Sequence, residues 1–280
     1  MTGQAKGKYD NELAFAVDLA RDAGKIMQRY FRAEDIGTEW KEDNTPLTVA
    51  DTKINDLVIE RVKKAFPTHS VIGEEASFEA KDDKFVWVVD PIDGTKPFSL
   101  GMPVSTFLLA LVDRTDGQPL LGVVYDPYLD HMYTATKEEG AYLNAKRLKT
   151  SKATSFFKGY ATVYGYAHAV KTSTINYQAG RVTNNLYAKG ASVLNLSSGA
   201  YTGAKIASGE FLAMVDATGK PWDSAALCIL VQEAGGVVTD LEGKQRRFDE
   251  VGLGCVLAAN QTLLLEILDM IKGGHENYRH

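Results

Sequence analysis

Two aspartates three residues apart, Asp90 and Asp93, enclose Pro91 and Ile92 and are followed by Gly94 and Thr95. The residues before them, Phe85 to Val89, are β-branched or aromatic and predict a buried strand. Pro91 fixes φ and removes a backbone donor, while Gly94 permits a turn that a side chain would forbid. Carboxylates on so stiff a bend can converge on one point, and only a cation offsets their repulsion there. Hard oxygen donors suit Mg²⁺, which keeps several waters and is completed by substrate phosphate. Asp-Gly near a strand end also has a plainer use, a turn in which Asp bonds its own backbone. This stretch therefore decides nothing until other acidic groups join it.

Three other places supply them. Ser70, Val71 and Ile72 predict a short strand running into Gly73-Glu74-Glu75, so Glu74 and Asp90 could leave the same sheet edge, where α/β sheets place their sites. Thr48-Val49-Ala50-Asp51 opens a helix with the apolar stripe Ile54, Leu57, Val58, Val62, Ala65 and Phe66, ended by Pro67. Thr48 and Asp51 have the form of a capping box, which is the structural use of Asp51. Pro221-Trp222-Asp223-Ser224 predicts the start of a helix that stops at Gly235-Gly236. Asp223 in its first turn would complement the helix dipole in any case.

The elements that must position these groups can be read from periodicity. A first amphipathic helix runs from about Tyr9 to Phe31 on Leu13, Val17, Ala20, Gly24, Met27 and Phe31. After the central stretch, strands at Val104–Val112, Leu120–Tyr125, Met132–Ala135 and Gly140–Asn144 form an antiparallel meander, which makes the first half α+β. The division falls at about 150, with 1–150 carrying Asp51, Glu74 and the Asp90–Thr95 stretch and 151–280 carrying Asp216 and Asp223. The second half alternates: a strand at Gly159–Val163, a helix near Ala167–Ala179, a strand at Asn185–Ala188 and a helix from Ser192 to about Ala207. Strands at Phe211–Val215, Val237–Thr239 and Cys255–Ala259 and a helix near Leu263–Ile271 complete it.

Composition narrows the function. A chain of 280 residues with 45% apolar and 24% charged content has ample core for one large or two medium domains. A net charge of −5 argues against a nucleic-acid or membrane-surface partner. Cys228 and Cys255 sit in apolar surroundings and are expected as buried thiols of a reducing compartment. The first residues contain no apolar leader core and no long apolar run follows, so a cytoplasmic protein is expected. The five histidines are scattered without zinc-ligand spacing, and no P-loop motif occurs.

Taken together, Gly73-Glu74-Glu75, Asp90 to Thr95 and Trp222-Asp223 resemble, in order and spacing, the inositol monophosphatase family of Mg²⁺-dependent, lithium-sensitive phosphatases. Residues 48–51, 122–127, 140–151 and 233–240 extend the resemblance over nearly the whole chain. It implies a layered αβαβα sandwich, a homodimer, and two or three Mg²⁺ ions held by Glu74, Asp90, the Ile92 carbonyl, Asp93 and Asp223. It also implies that Gly94 and Thr95 offer N–H groups to phosphate, and that the Thr95 hydroxyl, oriented by Asp51, positions and deprotonates the attacking water. Lys96, Gly190, Ser192 and Asp216 are the further phosphate or substrate contacts it suggests.

Departures from the pattern bear on the substrate. Seven residues before Asp223 the inositol-directed enzymes carry Glu, and here stands Asp216, one methylene shorter. Tyr187 ahead of Gly190 stands for an Arg, and Lys96-Pro97 replaces a commoner uncharged pair. Inositol monophosphate is the first expectation; histidinol phosphate, 3′-phosphoadenosine 5′-phosphate and fructose 1,6-bisphosphate are the alternatives for the same chemistry. Phosphatases of the haloacid-dehalogenase type set their carboxylates two apart with the first as nucleophile, unlike the three-residue spacing across Pro91. A non-catalytic scaffold of the same fold should have lost at least one of these ligands, and this chain retains them.

Overall fold

The computed structural model describes residues 7–33, 39–40, 46–81, 83–164, 173–252 and 254–273. The run before Asp90 becomes the second strand of a seven-stranded sheet ordered β3 (Ser70–Gly73), β4 (Phe85–Asp93), β5 (Thr106–Asp113), β6 (Gln118–Asp126), β7 (His131–Thr136), β8 (Gly140–Leu143), β9 (Lys146–Arg147). A separate short pair, β1 (Glu39–Trp40) and β2 (Pro46–Leu47), precedes it. From β4 onward the large sheet is an antiparallel meander, as expected of a run of strands without crossover helices, whereas β3 pairs with β4 in parallel. The second sheet has five strands in the order β11 (Ser192–Val193), β10 (Tyr160–Tyr164), β12 (Ala213–Asp216), β14 (Cys255–Ala258), β13 (Val237–Asp240).

Helices α1 (Asp10–Tyr30), α2 (Val49–Ala65), α3 (Thr95–Ser99), α4 (Ser173–Ala188), α5 (Gly199–Ala207), α6 (Ala225–Glu233) and α7 (Gln261–Lys272) layer against the sheets. Side chains alternate across β4. Trp87 and Val89 enter one core with Leu19 of α1 and Val58 of α2, while Val86 and Val88 enter a second core with α5, α6 and the five-stranded sheet. Burial on both faces explains why these strands read as continuous apolar runs rather than alternating ones. With α4 and α7 packed on β10, β11 and β14, the order is α1/α2, sheet, α5/α6, sheet, α4/α7. This is the layered αβαβα sandwich.

Three sequence expectations are corrected. Asn185–Ala188 is the end of α4, not a strand: Val182 and Leu186 are buried four residues apart, and Asn185 Nδ2 donates to the Arg181 carbonyl one turn back at 2.9 Å. A short apolar run fits either structure, and here the helical face won. The first part of the helix expected at Ala167–Ala179 lies outside the described residues until Ser173. Ser192 opens the edge strand β11, and α5 starts only at Gly199, where the Ser198 side chain accepts from the Tyr201 N–H. Pro221 to Ser224 form a turn, with Ala225 N–H donating to the Pro221 carbonyl at 2.8 Å, and α6 begins after it. Both cysteines are free and buried, as expected.

Candidate active site

Strand pairing delivers the first acidic groups together. Gly73 stands opposite Val89 in the parallel β3–β4 ladder, and the Glu74 N–H donates to the Val89 carbonyl at 3.2 Å, so Glu74 and Asp90 leave the sheet side by side. Just past Asp90 the β4–β5 register slips until Asp93 pairs with Thr106, the irregularity that Pro91 enforces. Gly94 then turns at φ +83, and a Cβ there would lie 2.8 Å from Ser198 Cβ. Only glycine serves at this position. It caps α3, which starts at Thr95.

From the other side, Asp216 ends β12 and Asp223 sits in the turn before α6. A cleft of about 260 Å³ lies between these ends, lined by Glu74, Asp90, Ile92, Asp93, Asp216 and Asp223 and by Gly94, Thr95, Lys96 and Lys220. Burial, then the charges of Glu74, Asp93 and Asp223, hold the Asp90 carboxyl well above the usual range. Asp223 is raised well above it by burial and by Asp216 and Glu74, against Lys220 and Thr218. Asp93 reaches about 6 through burial, although Ser198 and the Ala200 and Gly199 amides pull it down.

Each carboxylate also has a protein partner. Asp90 Oδ1 accepts the Ile92 N–H at 3.0 Å, Asp223 Oδ2 the Thr218 hydroxyl at 2.8 Å, and Glu74 Oε1 lies 3.9 Å from Lys220 Nζ. Asp93 takes the Ser198 hydroxyl at 2.5 Å and the amides of Gly199 and Ala200 at 3.1 and 2.9 Å, which makes it the anion at the start of α5. As the side chains lie, no three His, Cys, Asp or Glu among the described residues stand close enough to hold an ion. The donor chemistry nonetheless fits Mg²⁺: hard oxygens, several of them buried, whose mutual repulsion raises their pKa values until a cation balances them.

Asp51 lies just outside the cleft wall. Its Oδ2 accepts the Thr48 N–H at 2.8 Å and the Thr48 hydroxyl at 2.5 Å, so the capping box is real. Its Oδ1 accepts the Thr95 hydroxyl at 3.3 Å, while the same hydroxyl stands 3.1 Å from the Ile92 carbonyl. One proton thus has two acceptors. Burial raises Asp51 to about 7, against the Thr48 hydrogen bonds, with Glu74 and Glu75 adding to the rise. A base with that value is suited to neutral pH.

Not every expected residue meets the cleft. Gly190 and Ser192 lie elsewhere: the Gly190 carbonyl accepts from Lys158 at 3.0 Å, and Ser192 pairs with Tyr160 at the sheet edge. Tyr187 is exposed on α4. The chain needs several residues beyond β11 to come round to the cleft, and Asn195, Ser197 and Gly199 line it instead. Sequence reasoning missed these, together with Thr218 and Lys220. A Ser ahead of the small-residue run at 199–204 is an N-cap signal that could have placed the start of α5.

The layered sandwich thus carries an acidic cleft at its strand ends. The chain belongs to the inositol monophosphatase family, whose model matches residues 8–272. It is 32% identical over 262 residues to Nus factor SuhB of Pasteurella multocida, covering 93% of this chain and 95% of that one. It is 35% identical over 249 residues to inositol monophosphatase 1 of Solanum lycopersicum, covering 85% and 88%, and 29% identical over 266 residues to a histidinol-phosphatase of Chlorobaculum parvum, covering 95% and 98%. The solved Thermotoga maritima IMPase superposes with a TM-score of 0.81 at 26% identity, covering 93% of this chain and 96% of that one. No helix among the described residues is long and apolar enough to cross a membrane.

Proposed function

We propose that this protein hydrolyses a small phosphate monoester, with inositol monophosphate the first substrate, by direct attack of water on phosphorus. The observation that carries the reading is the Thr95 hydroxyl, held between Asp51 Oδ1 and the Ile92 carbonyl beside the acidic cleft. Glu74, Asp90, the Ile92 carbonyl, Asp93 and Asp223 would hold two or three Mg²⁺ ions, which would lower the pKa of the attacking water and offset charge on the leaving oxygen. The N–H groups of Gly94 and Thr95, at the start of α3, would be offered to the phosphate. Thr95 accepts the proton of the attacking water as its own passes to Asp51 Oδ1. The water oxygen bonds to phosphorus and the bond to the alcohol oxygen breaks; the departing alkoxide takes a proton from a solvent water, and Asp51 gives its own proton up to the hydroxide so formed, leaving alcohol and inorganic phosphate.

Asp216 lines the cleft, and its carboxylate would accept hydrogen bonds from substrate hydroxyls. Histidinol phosphate is the second reading, supported by the similarity to the Chlorobaculum parvum histidinol-phosphatase and by Lys96 in the cleft. The test is phosphate release from inositol monophosphates, histidinol phosphate, fructose 1,6-bisphosphate and 3′-phosphoadenosine 5′-phosphate. Turnover should be highest on an inositol monophosphate, stop with chelator and return with Mg²⁺. Release from none of the four would remove the reading. The family resemblance also supports a homodimer, which light scattering would check at about twice 30.6 kDa.

A further inference from the structure

Arg246 is a buried cation that the chemistry above leaves unused. It is 5% exposed, and among the described residues its Nε and Nη1 have no hydrogen-bond partner. Unmatched buried donors are rare enough to need a reason, and a buried charge persists only where an opposite charge balances it. Its remaining nitrogen, Nη2, donates to the Gly219 carbonyl at 2.8 Å, and the Gly252 N–H donates to the same oxygen at 3.0 Å. Gly219 has φ +75, and a Cβ on it would fall 2.1 Å from the Gly252 carbonyl oxygen; one on Gly254 would fall 2.0 Å from that of Asp216. The loop from Asp216 to Lys220, which lines the cleft, is therefore seated closely against Gly252 and Gly254. Arg246 is itself anchored, its carbonyl accepting from Gln118 Nε2 at 2.7 Å and its guanidinium lying 5.2 Å from the Phe248 ring.

Asp216 ends β12 and opens the loop that Arg246 holds at Gly219. One Asp216 oxygen takes the Thr218 N–H at 2.8 Å and the other lies 3.9 Å from Cys255 Sγ. Burial pushes its pKa up, while the Thr218 hydrogen bonds and the charges of Arg246 and Lys220 pull it down. We propose that Arg246 is a positioning residue which, from behind the cleft floor, fixes the Asp216 carboxylate and the loop to Lys220, and so sets the preference for a hydroxyl-bearing alcohol over a plain one. This rests on the polyol reading of the cleft given above.

The experiment compares kcat/KM on inositol 1-phosphate with kcat/KM on p-nitrophenyl phosphate, which shares the reacting group and lacks the hydroxyls. Arg246→Gln keeps a donor for Gly219 and drops the charge, and the polyol-to-aryl ratio should fall about 10-fold, through KM. Arg246→Lys restores the charge and should bring the ratio back within about threefold of the parent. Equal losses on both substrates in both variants, or an unchanged ratio in Arg246→Gln, would overturn the proposal. If Arg246→Gln fails to fold, Arg246→Gln/Asp216→Asn removes the stranded carboxylate as well; it should fold and discriminate as poorly as Asp216→Asn alone. A double variant that stays unfolded while Asp216→Asn folds would overturn the proposal, since the guanidinium then serves the fold alone. A parent protein with no polyol preference refutes the substrate reading instead.

Discussion

Replacing Asp51 with Asn separates two uses of one buried carboxylate. Burial raises this group from 3.8 to about 7, even though the Thr48 hydrogen bonds oppose the rise. A raised carboxyl favours the protonated folded state, so its stabilising share is complete below pH about 4 and is lost as the pH climbs through about 7. A rise of about three pH units corresponds to on the order of 4 kcal/mol against keeping the charge buried at pH 8. Asn retains the shape and a carbonyl for Thr48 but has no charge to bury. Asp51→Asn should therefore melt about 5 °C or more above the parent in chelator at pH 8, on the usual scale for a chain of this size, with a smaller gain at pH 5. Its kcat at saturating Mg²⁺ should fall by about 10² to 10⁴. Scanning calorimetry at the two pH values and a phosphate-release assay read the two effects separately. A lower melting temperature with kcat intact would refute the reasoning and leave Asp51 as the cap of α2.

Thr95→Ala removes the hydroxyl and keeps the amide; kcat should drop about 10² to 10⁴ while calorimetry finds Mg²⁺ and phosphate affinity near the parent's. Combined with Asp51→Asn the losses should not add, because both act on one proton. Asp93→Asn should weaken Mg²⁺ binding in the same titration and leave α5 capped less firmly, since its carboxylate also accepts the Gly199 and Ala200 amides. Gly94→Ala, at φ +83 and against Ser198, should cost about 1 to 3 kcal/mol by chemical denaturation. Asp90, Asp93 and Asp223 are all held above the usual carboxylate range, so their stabilising share is lost as the pH rises through those values. Mg²⁺ should accordingly raise the melting temperature more at pH 8 than at pH 5.

Much of this arrangement was legible because strand geometry transmits sequence order directly. The apolar run before Asp90 had to be a buried strand, and a second strand ending at Gly73 had to deliver Glu74 near it if the two paired in parallel. Asp51 was legible as a cap from Thr48 alone; its link to Thr95, 44 residues on, came only from the family resemblance, because it depends on the α2–β4 packing that brings the two together. The region 185–199 misled for a local reason: Leu186-Tyr187-Ala188 and the small residues after Ser192 suit either a helix or a strand, and tertiary burial of Val182 and Leu186 decided it. The contacts at Gly190 and Ser192 came from the family resemblance, and it is Asn195, Ser197 and Gly199 that line the cleft. Arg246 gave no signal, because a basic residue in a polar stretch reads as solvated surface.

The stereochemical course at phosphorus tests direct water attack at this cleft most closely. With an isotopically chiral thiophosphate ester of the best substrate, Mg²⁺-dependent hydrolysis through one in-line displacement should invert the configuration, and chelator should abolish release altogether. Retention of configuration would contradict the account, because it requires two displacements and a phosphorylated side chain such as Asp90.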